Sequence, residues 1–410
     1  MGAMAVKSPY GWDVPPCWAA IQSAGHGVSP YAGGITALTA YHLRPSHPAG
    51  DRPPLIFWYS PLTIPMLREL ALFPAWLLGP LYGCALSAGF LLSMSAGYRM
   101  ASEKERRWLI FVLPFAAFFP GLLCDQAILS GNVAFILYGL ILAAAVSGWK
   151  RNRWLWFYAA VIVASVCKAP MLSLLAFPIL VGRRQWAPAC VAGAAGCLLF
   201  PAQAMLWPAQ FKEFLTAVRL VFEWAHDFGF SPSGLLGRSL WAMKKPYSTA
   251  TAIAYILWAV ALGSLLLAVR HRVRRKPHLC EAWIPVAFVG TILLNPRIIF
   301  YDTAPLTVPL LLIVWRVLLL GQKLIVQRRA QRESTAVYQV PVPAQFQTPR
   351  EDRANLAPIL AGVGCFAACN LIDILWGDRV PIELTVLLLI FALGVWSLLS
   401  FAGTLSAENA

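Results

Sequence analysis

The sequence predicts an all-α polytopic membrane protein. Of the 410 residues, 59% are hydrophobic and 12% are charged, and the mean hydropathy is +0.64, whereas a soluble domain carries about 25% charged residues. The apolar residues form roughly ten runs, most of them close to the length that a membrane-spanning helix requires. The net charge of +15 comes from Lys and Arg clustered between these runs, which is the positive-inside pattern of membrane proteins. We therefore expect membrane lipids as neighbours and no nucleic-acid partner.

Residues 1–73 contain no apolar run of about 20 residues, and they are rich in Pro, Gly and aromatic residues. We assign this segment to an extracytoplasmic loop. A translocated segment normally follows a membrane-spanning helix, and none precedes Asp13. We therefore expect that a first transmembrane helix is missing from the chain; the alternative is a short amino-terminal tail translocated by the span after it.

Residues 74–321 form the predicted transmembrane core. The predicted spans are 74–97, 108–123, 128–149, 154–167, 171–182, 187–206, 248–270, 281–294 and 303–320. The basic clusters between them then all fall on the cytoplasmic side. The two half-length runs meet at Lys168-Ala169-Pro170, and the charge bias favours two short spans over one helix that would bury Lys168 in mid-membrane.

Three further segments complete the predicted organisation. The outer loop 207–247 is amphipathic and aromatic, which predicts short helices lying in the membrane interface. Residues 322–353 are rich in Gln, Arg and Pro and predict a disordered cytoplasmic linker. Residues 354–410 predict a carboxy-terminal transmembrane pair. No internal repeat of fixed period is visible, which argues against a transporter built from duplicated halves.

The nine Cys residues lie mostly inside apolar runs, with no Cys or Cys/His set at metal-ligand spacing. The sequence therefore predicts neither a disulfide framework nor a metal site. Nothing in it indicates a cofactor.

Short polar and aromatic stretches follow one another beside the predicted outer ends of the spans. They are Gly11-Trp12-Asp13, Gly25-His26-Gly27-Val28-Ser29-Pro30-Tyr31, Trp58-Tyr59-Ser60-Pro61-Leu62, Ser130-Gly131-Asn132, Lys168-Ala169-Pro170, Phe230-Ser231-Pro232-Ser233-Gly234, Asn295-Pro296-Arg297 and Phe300-Tyr301-Asp302. In this order they resemble glycosyltransferase family 87, and they cover most of the chain from residue 12 to about 320. The sequence departs from the family in the missing first helix and in Ser130, where Gly is common.

The resemblance implies a helical bundle of the GT-C type with extracytoplasmic loops that carry short amphipathic helices. It also implies a hexosyltransferase of the cell membrane with its active site on the extracytoplasmic side. Such an enzyme transfers a hexose, typically mannose, from a polyprenyl-phosphate sugar donor to a lipid or cell-envelope glycan acceptor. The alternative function is a secondary transporter or a flippase for lipid-linked glycans, and a third possibility is a scaffold without catalysis.

Asp13 is the candidate catalytic base. Sugar transfer from a phosphate leaving group to a hydroxyl requires a base for the acceptor proton, and a carboxylate at a cavity edge is strengthened by partial desolvation. The resemblance implies the same role for Asp13. The alternative is a loop Asp that caps a turn; Asp125 is a reserve base.

Cations are expected where the charge of the departing phosphate develops. Lys168 and Arg297 are the candidates, because each is an exception to the positive-inside distribution, and Tyr301 and Asp302 are expected to orient the arginine. The alternatives are a snorkelling Lys168 and an Arg297 paired simply with Asp302.

Four further residues are candidates for substrate contacts: Tyr31, Tyr59, Asn132 and His226. For Asn132 the alternative is helix capping, and for a lone loop histidine it is simple solvation.

Overall fold

The computed structural model describes residues 11, 13–46, 53–118, 130–223, 228–276, 279–336 and 382–400, and within these residues every regular element is helical. In the described part of the chain, four helices are long and apolar enough to cross a membrane: Ala75–Met100, Ala134–Arg151, Trp186–Leu206 and Ser248–Arg274. Their apolar windows are only 17 to 50% buried inside the protein, so much of their surface suits lipid rather than water. The predicted class of an all-helical, multi-pass membrane protein is confirmed at this level.

The described helices are numbered in chain order. In chain order they are α1 (Val14–Gly25), α2 (Ala32–His42), α3 (Ile64–Leu70), α4 (Ala75–Met100), α5 (Glu103–Phe118), α6 (Ala134–Arg151), α7 (Leu155–Cys167), α8 (Ala176–Val181), α9 (Trp186–Leu206), α10 (Pro208–Glu223), α11 (Pro232–Ala242), α12 (Ser248–Arg274), α13 (Cys280–Leu293), α14 (Phe300–Thr303), α15 (Thr307–Ala336) and α16 (Ile382–Ser400). The 3₁₀ turns are Pro61–Thr63, Ala169–Leu175 and Ala304–Leu306.

Helices α4 and α6 form a parallel pair in close contact. The Tyr82 hydroxyl of α4 donates to the Gly131 carbonyl just before α6, at 2.6 Å. Further along, a Cβ added at Gly139 would lie 2.3 Å from the Gly89 carbonyl oxygen. Small residues let membrane helices approach this closely and gain dispersion contacts. The pair therefore runs through the bundle from the Gly131 end to the basic end at Arg151.

The amino-terminal segment and the amphipathic helix α10 share a second hydrophobic cluster, separate from the main core of the bundle. Tyr31, Leu38 and Phe57 from the amino-terminal segment are buried against Phe214 and Leu220 of α10. The spacing of the apolar residues explains why this face of α10 is buried, since residues three or four apart share one side of a helix. The two segments predicted to be outer loops thus pack against each other.

Two polar breaks interrupt the apolar core. Helix α7 ends at Cys167, Lys168 is extended (φ −138°, ψ 90°), and a 3₁₀ turn follows from Ala169. Pro170 helps to end α7, since proline has no N–H to continue the helical hydrogen bonds and its ring clashes with the carbonyl four residues earlier. The predicted interruption at Lys168 is therefore confirmed. The second break is the loop between α13 and α14, which contains Asn295, Pro296 and Arg297.

At the basic end an ion pair ties α5 to α15. The Arg316 guanidinium donates to both carboxylate oxygens of Glu105, at 2.6 and 2.8 Å, and also to the Glu281 carbonyl. Burial alone would raise the pKa of Glu105. The hydrogen bonds and charge of Arg316, together with hydrogen bonds from Ser102, lower the pKa by more than burial raises it. The net result is a pKa below the ordinary carboxyl value.

Some predicted boundaries are corrected. The predicted linker 322–353 begins as helix, because α15 continues to Ala336; residues 322–336 are rich in Gln and Arg, which favour helix. The half-length runs predicted on either side of Lys168 are short helices, Leu155–Cys167 and Ala169–Val181. Three further predicted spans contain apolar stretches shorter than a full crossing: Cys280–Leu293, Thr307–Gln322 within α15 and Val386–Leu399 within α16. The predicted span 354–373 lies outside the described residues, as do the last residues of span 108–123.

Candidate functional site

A cavity of about 640 Å³ opens between the helical bundle and the second hydrophobic cluster. Most of its wall is apolar or aromatic, formed by α10, the start of α12 and the segment around Met171. The polar end is formed by the two breaks in the bundle, which bring Lys168, Arg297, Tyr301 and Asp302 to one cavity. These four predicted donor-phosphate residues therefore lie together, although their roles remain predictions.

Lys168 is held from two sides. Its ammonium Nζ lies 3.1 Å from Asp302 Oδ1 and 3.9 Å from the centre of the Tyr301 ring. The second oxygen of Asp302 accepts from the Ile299 backbone N–H at 3.0 Å. The two side chains are 9% and 2% exposed, so the pair is shielded from water. A cation over an aromatic ring and beside a carboxylate has a fixed position.

This arrangement adds a contact that the sequence did not suggest. Tyr301 and Asp302 were expected to orient Arg297, and in the structure both contact Lys168. Asp302 forms an ion pair with Lys168. The sequence did not reveal this pairing because 134 residues separate the two partners.

Arg297 lies between aromatic rings. Its guanidinium carbon is 4.5 Å from the centre of the Trp58 ring and 5.9 Å from that of Phe222. The residue is 8% exposed, and its backbone N–H donates to the Asn295 side chain at 2.9 Å. Aromatic faces stabilise the charge of a guanidinium and fix its plane.

The loop around residue 230 is hydrogen-bonded to the loop between α13 and α14, which contains Arg297. The Phe230 N–H donates to the Ile298 carbonyl at 2.8 Å, and the hydroxyls of Ser231 and Ser233 both donate to the Pro296 carbonyl. Gly229 has φ +70°, and a Cβ there would lie 2.6 Å from the Ile298 oxygen. Only glycine fits this position without strain. Two of the polar stretches seen in the sequence thus form one contact.

Asp13 is fixed by the residues that precede α6. Its backbone N–H donates to the Ser130 carbonyl at 2.9 Å, and its Oδ2 accepts from Asn132 Nδ2 at 2.8 Å. Asn132 Oδ1 accepts from the Ala134 N–H, so the amide is oriented at both ends. Asp13 begins α1 without a side-chain capping hydrogen bond, which argues against the turn-cap alternative.

Asp13 is half-buried and lies beside the cavity without lining it. Its charge nevertheless acts on Tyr59, which does line the cavity, and on Lys168. Burial raises the pKa of Tyr59 well above its usual value, and the neighbouring Cys17, Tyr301 and Asp13 raise it further. The pKa of Cys17 is raised to about 12 by burial and by Asp13. Both groups are therefore neutral at physiological pH.

The other candidates have different surroundings. Tyr31 is buried in the second hydrophobic cluster, and its hydroxyl donates to the Tyr59 carbonyl at 2.6 Å. The structure thus places Tyr31 in a packed cluster and outside the cavity lining, and its substrate contact stays a prediction. Asn132 both orients Asp13 and bonds at the start of α6, so the capping alternative also holds. His226 and the reserve base Asp125 lie outside the described residues.

Several cavity residues were missed by the sequence analysis. Trp58 adjoins Tyr59 in a stretch that was singled out, and Ser233 lies in another, so adjacency was an available signal. Tyr138 of α6 lines the cavity but lies in an apolar run that gives no signal. In the residues that the structure describes, no group of three or more His, Cys, Asp or Glu side chains is placed to hold a metal ion.

No protein-family model, curated protein or solved structure matches the chain. Its function is therefore argued from the site.

Proposed function

We propose that this protein is a membrane glycosyltransferase. It transfers a hexose, mannose by the sequence resemblance, from a polyprenyl-phosphate sugar to a lipid or cell-envelope glycan on the extracytoplasmic side of the cell membrane. The observation that carries the proposal is that two cations, Lys168 and Arg297, both line a mostly apolar cavity of about 640 Å³ among membrane helices. A carboxylate within electrostatic reach, Asp13, completes the chemistry.

The donor fits this combination of surfaces. A polyprenyl phosphate carries a compact anion on a long apolar tail, and the cavity offers two cations inside a wall that is mostly apolar. Lys168 is held by Asp302 and Tyr301 before any ligand arrives, and Arg297 is held by Trp58. Preorganised cations stabilise the charge that develops on a leaving phosphate without reorganising during the reaction.

The transfer step needs one base and no metal in this scheme. The acceptor hydroxyl oxygen forms a bond to the anomeric carbon while its proton passes to the Asp13 carboxylate. The bond between the anomeric carbon and the phosphate oxygen breaks, and polyprenyl phosphate leaves with the electron pair. A single displacement of this kind inverts the anomeric centre. The Asn132 amide keeps one Asp13 oxygen in a constant position.

The orientation follows from the charge distribution. The cavity lies near the Gly131 end of the α4 and α6 pair, and the cluster Lys150, Arg151 and Arg153 lies at the other end. Helix α6 has 18 residues, which at 1.5 Å each is about 27 Å, close to the hydrocarbon thickness of a bilayer. The basic end belongs inside by the positive-inside rule, so the cavity faces the outside.

The test is transfer of label in a defined system. The purified full-length chain, in liposomes, is given radiolabelled polyprenyl-phosphate mannose and a membrane lipid extract as the acceptor source. Wild-type protein should form a new labelled glycolipid or glycan, and Asp13→Asn should lower the rate at least about 100-fold while retaining donor binding. The matched control is Glu223→Gln, which changes a carboxylate that lines the cavity and should stay within about threefold. Activity of Asp13→Asn equal to wild type removes Asp13 from the mechanism.

A transporter or flippase is the competing function, and the broken helix at Lys168 favours it, since such breaks line substrate sites in transporters. The two functions separate in the same liposomes. A transporter moves labelled donor across the bilayer and forms no new glycosidic bond. A transferase forms the bond, and its rate depends on acceptor.

A further inference from the structure

A second, polar pocket of about 410 Å³ lies at the basic end of the bundle. It is bounded by the last residues of α4 and α6 and the first residues of α5 and α13. Arg99, Arg106 and Lys150 line it, together with Trp149. Along α6, Tyr138 lines the first cavity and Trp149 lines this pocket, and at 1.5 Å per residue the two positions are about 17 Å apart. This pocket is therefore a different site, at the opposite membrane surface.

The pocket has an excess of positive charge. Two carboxylates also line it, those of Glu103 and Glu281, and each lies in the first turn of its helix. The positive end of the helix dipole stabilises a carboxylate at that position. The pocket thus has three cations and two carboxylates, and each carboxylate is already stabilised by the dipole of its own helix. Arg106 is further held by its contacts with Tyr98, through the carbonyl at 3.3 Å and the ring at 5.6 Å.

The three cations, Arg99, Arg106 and Lys150, line the same pocket. Like charges gathered at one place create a positive potential that an anion relieves. The geometry gives such an anion a concave polar site rather than a flat surface.

The flanking surfaces identify the kind of anion. Leu91 of α4 and Phe111 of α5 are 64% and 74% exposed, so the helices that form the pocket present apolar side chains suited to acyl chains. Trp149 lies in the pocket itself, and tryptophan is typical of the headgroup level of a membrane. Basic pockets between membrane helices are known to bind anionic lipid headgroups.

We propose that this pocket binds the phosphate headgroup of an anionic membrane lipid in the leaflet opposite the sugar cavity. The headgroup lies among Arg99, Arg106 and Lys150, and its acyl chains lie along the exposed apolar faces of α4 and α5. This site is independent of sugar transfer, and its test does not use the enzymatic reaction.

Native mass spectrometry of the delipidated full-length chain tests the proposal. Wild-type protein is titrated with phosphatidylglycerol and with phosphatidylcholine of the same acyl chains. The Arg99→Gln/Lys150→Gln variant removes two pocket cations. The matched control, Arg151→Gln/Arg153→Gln, removes two exposed cations from the same end of α6 that do not line the pocket.

We expect wild type to bind one phosphatidylglycerol at least about tenfold more tightly than phosphatidylcholine. Each pocket cation should contribute about fivefold, so the pocket variant should bind about 25-fold more weakly and the control should match wild type. Lys150→Gln alone changes one exposed side chain and should weaken binding about fivefold without affecting folding. Equal weakening in both double variants, or equal binding of the two lipids, overturns the proposal. Displacement of the lipid by millimolar inorganic phosphate also overturns it in favour of a free-anion site.

Discussion

Replacing either Lys168 or Asp302 of the buried ion pair by a neutral residue should destabilise the protein strongly. Replacing both residues together should not. At 3.1 Å and an effective dielectric constant of about 20, the two charges attract each other by about 5 kcal/mol. Desolvation of both groups offsets most of that gain. The pair therefore contributes little to the free energy of unfolding, whereas a single unpaired charge in the same place lowers that free energy considerably.

The magnitude follows from the stranded charge. Removing one partner of a buried pair costs about 3–5 kcal/mol. A stranded carboxyl group can take up a proton instead, which at pH 7 limits the cost to about 4 kcal/mol. We therefore expect Lys168→Met and Asp302→Asn each to lower the free energy of unfolding by about 3–4 kcal/mol. The double variant should recover to within about 1–2 kcal/mol of wild type, because two neutral side chains leave no charge unpaired.

The assay is SDS titration in mixed micelles, followed by circular dichroism. The control is Arg219→Gln, which breaks an exposed ion pair at the same cavity, 69% and 41% exposed, and should change stability by under about 1 kcal/mol. All three variants of the buried pair should lose sugar transfer, including the stable double variant. A double variant as unstable as either single variant would refute this reasoning.

Three further predictions follow from single contacts. Because the pKa of Glu105 is lowered, the stability from its ion pair is present above about pH 4.5 and is lost as the pH falls through the folded value; Glu105→Gln should therefore flatten the fall in unfolding free energy between about pH 5 and pH 3. Asn132→Asp sets a second carboxylate against Asp13 and should move the acidic limb of the transfer rate upward by about one pH unit or more, whereas Asn132→Ser should leave it in place. Gly229→Ala should cost more unfolding free energy than Gly27→Ala and should also weaken donor binding. The two glycines have similar φ (+70° and +71°), but only a Cβ at Gly229 would meet neighbouring atoms. Gly27→Ala should cost about 1–2 kcal/mol.

Local chemistry made part of this structure predictable. The break at Lys168 follows from a charge beside Pro170 within an apolar run, and the burial of one face of α10 follows from its apolar spacing. Both signals lie within a few residues of the feature that they predict. The helical class likewise follows from composition and run length.

Partners across the chain were not predictable. Asn132 meets Asp13 across 119 residues, and both residues were identified as candidates without their contact. Asp302 was assigned to the nearby Arg297, whereas the fold brings Lys168 within 3.1 Å of it. Proximity in sequence favoured the arginine over the distant lysine because a single sequence carries no information on which breaks in a bundle face each other.

The most direct measurement is an electron cryomicroscopy structure of the full chain with a polyprenyl-phosphonate sugar, an analogue that cannot release its sugar. The account predicts phosphonate oxygens at about 3 Å from Lys168 Nζ and from the Arg297 guanidinium, with the anomeric carbon on the side of Asp13. A phosphonate bound away from both cations, or a sugar separated from Asp13 by the lipid tail, would contradict it.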